Sequence, residues 1–584
     1  MNVKTCHSIF LFTLLIISVK LATPSLAQQY QLTVQVAQPD KKVLNRYQLP
    51  RTYADSTQEY NTLSQLQQSL QEDGYWEAKI TQIIDTNSIV KANLVVGQPF
   101  YWKTLRTASL PPAITKAVHY KPQTFKEKQF DYAVISQLQE DILSYAEDNG
   151  YPFATIQLDS LVVEDHSIEA ALTYQPGLAF SFDSLQIEGS MKLKKKFLYK
   201  YLGVKKGDLY SQKKVEEVDA LLKRFPFVNL KKPSTTSFKS PRAYVSVFAD
   251  QRRANQIDGI IGLLPNELSP GSVLLTGQFD LKLRNLFQRA ISFEGAYQRL
   301  TPTSELLDIR YYHPALLGAN IDVQGDFNLL REDTTFLNIE RKLTFLYNLG
   351  ANKKISVFVS RKTSQLGFSP PADVNTLPDA AEINFTGYGL GYEWQTLDNY
   401  YYPRNGWHWI SQGLFGNKEI IRNPALQSEL YEGIEEVSLQ IELSAVLAYY
   451  RQISKRQILV GRIRGSYLNN ANLFTNDLFR LGGLQSLRGF NQNFFFASAY
   501  GVGTLEYRFL LDDTSYLLLF YDQAYLERNT LQERFSDTPL GIGAGISFTT
   551  SAGIFNLIYA VGRDRTQPLD FNRSKVHFGF ISRF

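Results

Sequence analysis

Val437-Ser438-Leu439-Gln440-Ile441-Glu442-Leu443-Ser444 sets apolar residues on one face of an extended chain and polar residues on the other. Side chains alternate across a strand with period two, so this segment reads as a strand with one greasy face and one polar face. The plan recurs at 275–284, where Leu275, Gly277, Phe279, Leu281 and Leu283 oppose Thr276, Gln278, Asp280, Lys282 and Arg284. It runs on to Phe584 with no helical interruption, too long for one ordinary sandwich. It suits a sheet closed on itself, with lipid outside and water inside. Sixteen strand-like segments follow Asn255, which predicts a 16-stranded antiparallel transmembrane β-barrel over 255–584.

The other end of the chain reads as an address. Lys4 gives a positive start, 9–19 is an apolar run, and Ser25-Leu26-Ala27 is a small-x-small cleavage site. The run is too short for a membrane anchor, which needs roughly 20 apolar residues. Residues 1–27 are therefore expected to be a cleaved signal peptide, with the mature chain starting near Gln28. The single cysteine, Cys6, lies in that part, so the mature chain is expected to have neither disulfide nor thiolate chemistry. Cys6 is not beside the cleavage site, so lipid attachment there is not expected. Removing Lys4 and Lys20 takes the formal charge from +5 to +3, which is no nucleic-acid signature. The chain holds 34 Tyr and 38 Phe, residues that suit strands and bilayer interfaces. A mean hydropathy of −0.22 does not argue against a barrel, because only alternate strand residues need be apolar.

Residues 28–250 mix helices and strands, and a pattern recurs. Leu63, Leu66 and Leu70 sit at helical spacing and lead into Glu72-Asp73-Gly74-Tyr75, followed by a strand over 76–84. Ile135, Leu138 and Ile142 lead into Glu147-Asp148-Asn149-Gly150-Tyr151, followed by a strand over 153–158. In each, the glycine ends the helix. A diverged third copy has Val215, Val218, Leu221 and Leu222, then Phe225-Pro226-Phe227-Val228. Val96-Gly97-Gln98-Pro99-Phe100 and Gln175-Pro176-Gly177 mark the junctions. Three α+β units are predicted, over 28–98, 99–178 and 179–250. In the first, 40–56 lacks a clear helix. The alternative is one irregular α+β domain with chance similarity.

Between the eleventh segment (about 456–468) and the twelfth (about 499–511) lie Phe479-Arg480-Leu481-Gly482-Gly483 and Ser486-Leu487-Arg488-Gly489-Phe490. Here the chain resembles the outer-membrane insertase superfamily of BamA and TamA. Members have periplasmic POTRA domains before a 16-stranded barrel and a [VL]-R-G-[FY] motif in the sixth extracellular loop. Three such units make the TamA type nearest in architecture. Asp398-Asn399 with Pro403-Arg404-Asn405-Gly406 looks like the family's D…P-x-x-G segment. Leu283-Arg284-Asn285-Leu286-Phe287 resembles the end of its second strand. Phe520-Tyr521-Asp522-Gln523-Ala524 resembles F-x-D-x-G, with Ala524 where glycine is favoured. Gly541, Gly543 and Gly545 resemble a late glycine-rich strand. The terminal strand, with Val576, Phe578, Phe580 and Phe584 on one face, looks like a barrel targeting signal.

The resemblance implies that Leu487, Arg488, Gly489 and Phe490 fold back into the lumen, where Arg488 pairs with Asp522. An enclosed guanidinium needs such a partner, and its planar fork suits a carboxylate. The alternative is an Arg-Gly turn at a loop tip in water. The glycine triplet lacks nucleotide-loop spacing and continues as strand, which favours bending and close approach. Lys192, Lys194, Lys195, Lys196, Lys200, Lys205 and Lys206 form a basic run, either a solvated face or a surface for acidic head groups or a partner.

Enzyme signals are poor. His119, His166, His313, His408 and His577 are scattered without zinc spacing, and no G-x-S-x-G elbow occurs. Interior carboxylates such as Asp280, Glu442 and Glu506 are expected in any barrel lumen. No enzyme activity, cofactor or metal is expected. The resemblance implies an outer-membrane assembly or translocation factor. It would receive nascent outer-membrane or secreted proteins on POTRA domains and pass them through a lateral seam. Few bonds should close that seam, because the first strand (about 256–263) holds Gly259 and Gly262 and stops at Pro265. Its partners would be outer-membrane lipids, substrate proteins and a periplasmic or inner-membrane-anchored helper. The alternatives are a passive porin, a dedicated single-substrate secretion pore, or a surface scaffold anchored by its barrel.

Overall fold

A computed structural model describes residues 30–37, 40–50, 52–53, 55–86, 89–107, 109–265, 273–299, 304–318, 320–333, 335–350, 352–367, 375–399, 402–550 and 553–583. The expected signal peptide and Phe584 lie outside them. The chain divides into two compact units, 1–177 and 178–584.

The first unit holds two α+β modules. One has strand Tyr30–Gln35, helices Lys41–Leu44 and Ser56–Glu72, and strands Lys79–Thr86 and Ile89–Val95. The other has strand Tyr101–Arg106, helices Pro112–Ala117 and Tyr132–Asp148, and strands Thr155–Glu164 and Ser167–Gln175. The one-turn helix Lys41–Leu44 was not legible, because four residues carry no helical period. The two hairpins begin a few residues later than the sequence predicts, after a turn beyond each helix. The helix starts are capped: Asp55 accepts from Gln58 N at 2.9 Å and Asp131 from Ala133 N at 2.8 Å. Leu63, Leu66, Leu70, Ile135, Leu138 and Ile142 are all buried. Trp76 stacks on Phe100 at 5.0 Å and meets Phe130 edge-on at 4.9 Å, tying the two modules together.

The second unit opens with a third module. Its strand Ser181–Glu188 leads to helices Lys195–Leu202 and Gln212–Lys223 and strands Thr235–Lys239 and Arg242–Gln251. All three modules share one topology. The last strand runs parallel to the first and antiparallel to the one before it.

The barrel follows directly. Seventeen segments pair in sequence order from Gln256–Pro265 to Lys575–Arg583. Arg534–Asp537 and Leu540–Thr549 are halves of one strand: both pair with Tyr516–Asn529 in a single register, and Pro539 between them has no N–H to donate. The barrel is therefore 16-stranded and antiparallel. Its burial is inverted relative to a soluble sheet. Val437 and Leu439 are 56% and 57% exposed, whereas Ser438 and Gln440 are 4% and 1% exposed. The greasy face points outward and the polar face inward.

The third module is docked on the barrel's turns. Lys194 N donates to Gln288 O at 2.8 Å, and Asn285 Nδ2 donates to Lys192 O at 2.8 Å. Arg224 donates to Asn348 Oδ1 at 2.7 Å and to Gly350 O at 3.0 Å. Ala290, from the turn at 287–290, and Ala315, from a bulge in strand Glu305–Gly318, enter the module's apolar core. The Asp398…Gly406 segment forms another turn, in which Arg404 N donates to Asp398 Oδ1 at 2.9 Å.

Candidate functional site: the lumen loop and the seam

The connection between strands Gln457–Asn469 and Ala499–Leu510 folds into the barrel. A short hairpin, Phe479–Leu481 with Phe495–Ala497, sets its frame. Ser486 Oγ ties its tip by donating to Gly482 O at 2.7 Å and accepting from Gly482 N at 2.8 Å. This delivers Leu487, Arg488, Gly489 and Phe490 to the inner wall, where all but Gly489 are buried side chains. Leu487 and Phe490 join Phe495, Val502, Ala524 and Leu526 in an apolar cluster. Ala524, the departure from the family pattern, packs its methyl there.

Arg488 makes a two-pronged contact with Asp522. Its Nε donates to Oδ2 at 2.7 Å and its Nη2 to Oδ1 at 2.6 Å. The third prong, Nη1, reaches Glu506 Oε2 at 2.8 Å. Glu506 also accepts from Arg508 Nε at 2.6 Å, and Thr504 Oγ1 donates to Asp522 Oδ1 at 2.9 Å. Two guanidinium groups thus face two carboxylates, so the buried cluster is charge-balanced. Neither sign is left to bear the cost of an unpaired ion away from water. The guanidinium lies 3.6 Å over the Phe520 ring, a stacking contact open to Arg through its flat face.

The seat is shaped by glycine. Gly489 has φ +92°, and a Cβ there would lie 2.8 Å from Gly562 N. A Cβ on Gly541 would lie 2.1 Å from the Arg488 carbonyl oxygen. The loop backbone therefore lies directly on the wall.

The same loop is bound to the opposite wall. Asn338 Nδ2 and Lys362 Nζ donate to Asn476 O at 2.8 and 2.9 Å. Asn476 also pairs with the Ala381 backbone, accepting at Oδ1 and donating from Nδ2. Lys418 pairs with Asp477, buried on both sides, and Arg480 pairs with Glu332. The loop is a strut across the lumen. No motif or periodicity points to Asn476, Asp477 or Lys418. Glu506 was legible as an interior carboxylate, but its service to two arginines was not. Thr504, Glu506 and Arg508 sit at alternate positions of one strand, and that alternation facing Asp522 is the signal that could have found them.

The second feature is the seam. Between the first and last strands the described register holds two pairs, Gln256↔Arg583 and Ile257↔Ser582. The first strand is otherwise unbroken: Gly259 and Gly262 pair with Phe279 and Thr276 of the second strand. The expected interruption at these glycines is therefore absent on that side. Val576 and Phe578 of the last strand are exposed on the outer face. Phe580 packs 4.6 Å from the Phe555 ring. A cavity of about 510 Å³ backs the seam, lined by Asp258, Gln278, Asp280, Gly483, Gln485 and His577 among others.

The Omp85 superfamily domain matches residues 285–584, and the POTRA domain, described as a surface antigen variable number repeat, matches residues 180–229. Among solved structures, CdiB from Acinetobacter baumannii is similar at 13% identity and TM-score 0.55, over 90% of this chain and 98% of that one. CdiB from Escherichia coli is similar at 13% identity and TM-score 0.54, over 90% and 97%. BamA from Haemophilus ducreyi lacking POTRA domains 1–3 aligns at 13% identity and TM-score 0.42, over 83% and 100%. No curated protein matches the chain. The domain match spans more than half of the chain and covers all but the first strands of the barrel, with a POTRA module before it: this protein belongs to the Omp85 superfamily.

Proposed function

We propose that this protein inserts or translocates other proteins at the bacterial outer membrane. Substrates dock on the α+β modules in the periplasm and leave through the seam between the first and last strands. The observation that carries this reading is the two-pair closure of the seam, set in a wall whose other strands are laddered along most of their length. In lipid an unpaired strand edge is costly, so such an edge is suited to accept an incoming strand. The modules offer edges too. Lys79–Thr86 and Thr155–Glu164 are each the outermost strand of their sheet, and pairing there uses backbone bonds with little sequence demand. No cofactor or chemical step enters this reading.

A dedicated secretion pore is the second reading. It requires the substrate to pass along the lumen, and the strut through Asn476 and Arg488 would first have to leave both walls. A passive porin faces the same obstruction permanently and has no use for receiving modules. Depleting the protein and measuring the outer-membrane proteome tests the proposal. Loss of several unrelated barrels supports it. Loss of one secreted product alone favours the dedicated pore, and an unchanged proteome and secretome overturns both.

A further inference from the structure

The lysines of the third module have no part in the lumen loop or the seam. Lys192, Lys194, Lys195 and Lys196 are exposed, and among the described residues no carboxylate lies within ion-pair distance of them. Helix Lys195–Leu202 has no acidic residue in its first turn, so these charges crowd its positive end unrelieved. Its other face is fully committed, with Phe197, Leu198, Tyr201 and Leu202 buried in the module. Lys206 differs, being paired with Asp183 at 3.2 Å.

Their position is fixed by the barrel. Lys194 N is bonded to the turn at Gln288, and Lys200 Nζ donates at 2.9 Å to Leu316 O, in the bulge near the end of strand Glu305–Gly318. Phe287, in that turn, and Leu317, in that bulge, are 72% and 61% exposed, and Leu316 is also exposed. Large apolar side chains at a barrel rim next to unpaired ammonium groups form an interfacial pair. The apolar tips enter the acyl boundary, and lysine stems reach back to the headgroup layer.

We infer that Lys192, Lys194, Lys195 and Lys196, with Phe287 and Leu317, form a docking site for anionic phospholipid headgroups of the periplasmic leaflet. The inference rests on the reading that the barrel lies in the outer membrane with its modules in the periplasm. The headgroups supply the negative charge that the helix start lacks, and the acyl chains cover the exposed rings and methyls. Such a site would hold the third module against the bilayer beside the second to fifth strands.

The test uses the full-length mature protein in mixed micelles, titrated with phosphatidylglycerol or with phosphatidylcholine of the same acyl chains, and read by native mass spectrometry. Preferred uptake of phosphatidylglycerol that weakens with salt is expected. K194Q/K195Q/K196Q should lower the apparent affinity by roughly fivefold for each lysine removed, and K194R/K195R/K196R should retain it. Equal binding of both lipids, or unchanged binding by the glutamine variant, overturns the site. Competition by glycerol phosphate as effective as by the lipid also overturns it, since a free phosphate would then suffice. Heat-modifiable gel migration and flotation with outer-membrane vesicles report the barrel separately. A chain that fails to insert defeats the underlying reading, whereas an inserted barrel without lipid preference defeats only the inference.

Discussion

The first strand is held very differently on its two sides. Among the described residues, ten register pairs join it to the second strand, while two join it to the last. The last strand in turn makes seven pairs with its own predecessor. Each ladder hydrogen bond contributes roughly 1 kcal/mol net in water, and an unpaired one costs more in lipid. The wall a few strands away shows the opposite extreme. Strands 499–510, 516–529, 540–549 and 554–563 keep long ladders, and this wall carries a buried, charge-balanced cluster with the loop seated on it. Weakness is confined to one line of the barrel, next to a wall that is overdetermined. A barrel required only to be closed would have no reason to distribute its bonds in this way.

Locking the weak line should give the largest effect. Ile257 and Ser582 are direct partners, and opposed strand residues fall within the Cα spacing that a disulfide accepts, about 4.4–6.8 Å. Ile257→Cys with Ser582→Cys, in a Cys6→Ser background, should abolish substrate assembly when oxidised and regain it on reduction, with heat-modifiable migration unchanged. Continuing the register would set Gly259 opposite Phe580, but the described pairing stops at Ile257, so a crosslink farther along is less suited. Full activity of the oxidised form would remove lateral exit and promote passage through the lumen.

Breaking the strong wall should come second. Arg488→Ala strands Asp522 and leaves Glu506 with Arg508 alone. Removing one member of a fully buried pair costs about 3–5 kcal/mol, which is the upper bound here, because lumen water screens the carboxylates left behind. The barrel should still form, with a lower urea midpoint in detergent and reduced assembly of substrates. Arg488→Lys should restore the charge but not the fork, and so recover only part of the loss. A variant with the parent's midpoint and activity would show that the cluster holds nothing together.

The period-two alternation made most of this legible. It fixed the barrel, its strand number and the inverted faces, because lipid outside and water inside force one residue type onto each side of every strand. Arg488 and Asp522 could be paired by resemblance, since both sit in recognisable motifs. The short helix at Lys41–Leu44 and the strut contacts of Asn476 were not legible. The first has too few residues for a period, and the second depends on which loop atoms cross the lumen, which no local pattern records. The seam was half legible: Pro265 and the glycines pointed to a weak first strand, yet the weakness lies in its pairing with the last strand and not in the strand itself.

The smallest effect separates a close seat from a merely nearby one. Gly541 and Gly501 are both strand glycines of the same region of wall. A methyl at Gly541 would lie 2.1 Å from the Arg488 carbonyl oxygen, a backbone atom that cannot swing aside, whereas one at Gly501 would meet nothing within 4 Å. Gly541→Ala must therefore lift the loop or shift the strand, at about 1–3 kcal/mol for an overpacked contact. Gly501→Ala should stay within about 0.5 kcal/mol of the parent, as surface-like substitutions do. Limited proteolysis of 470–498 reads the difference directly, since a lifted loop is cut faster while the barrel resists. Faster cleavage in Gly541→Ala alone places the strong wall's hold in backbone contact as well as in the ion pairs. Equal protection of both variants would mean that the loop gives way around the methyl, leaving Arg488 and its carboxylates as the whole of the anchor.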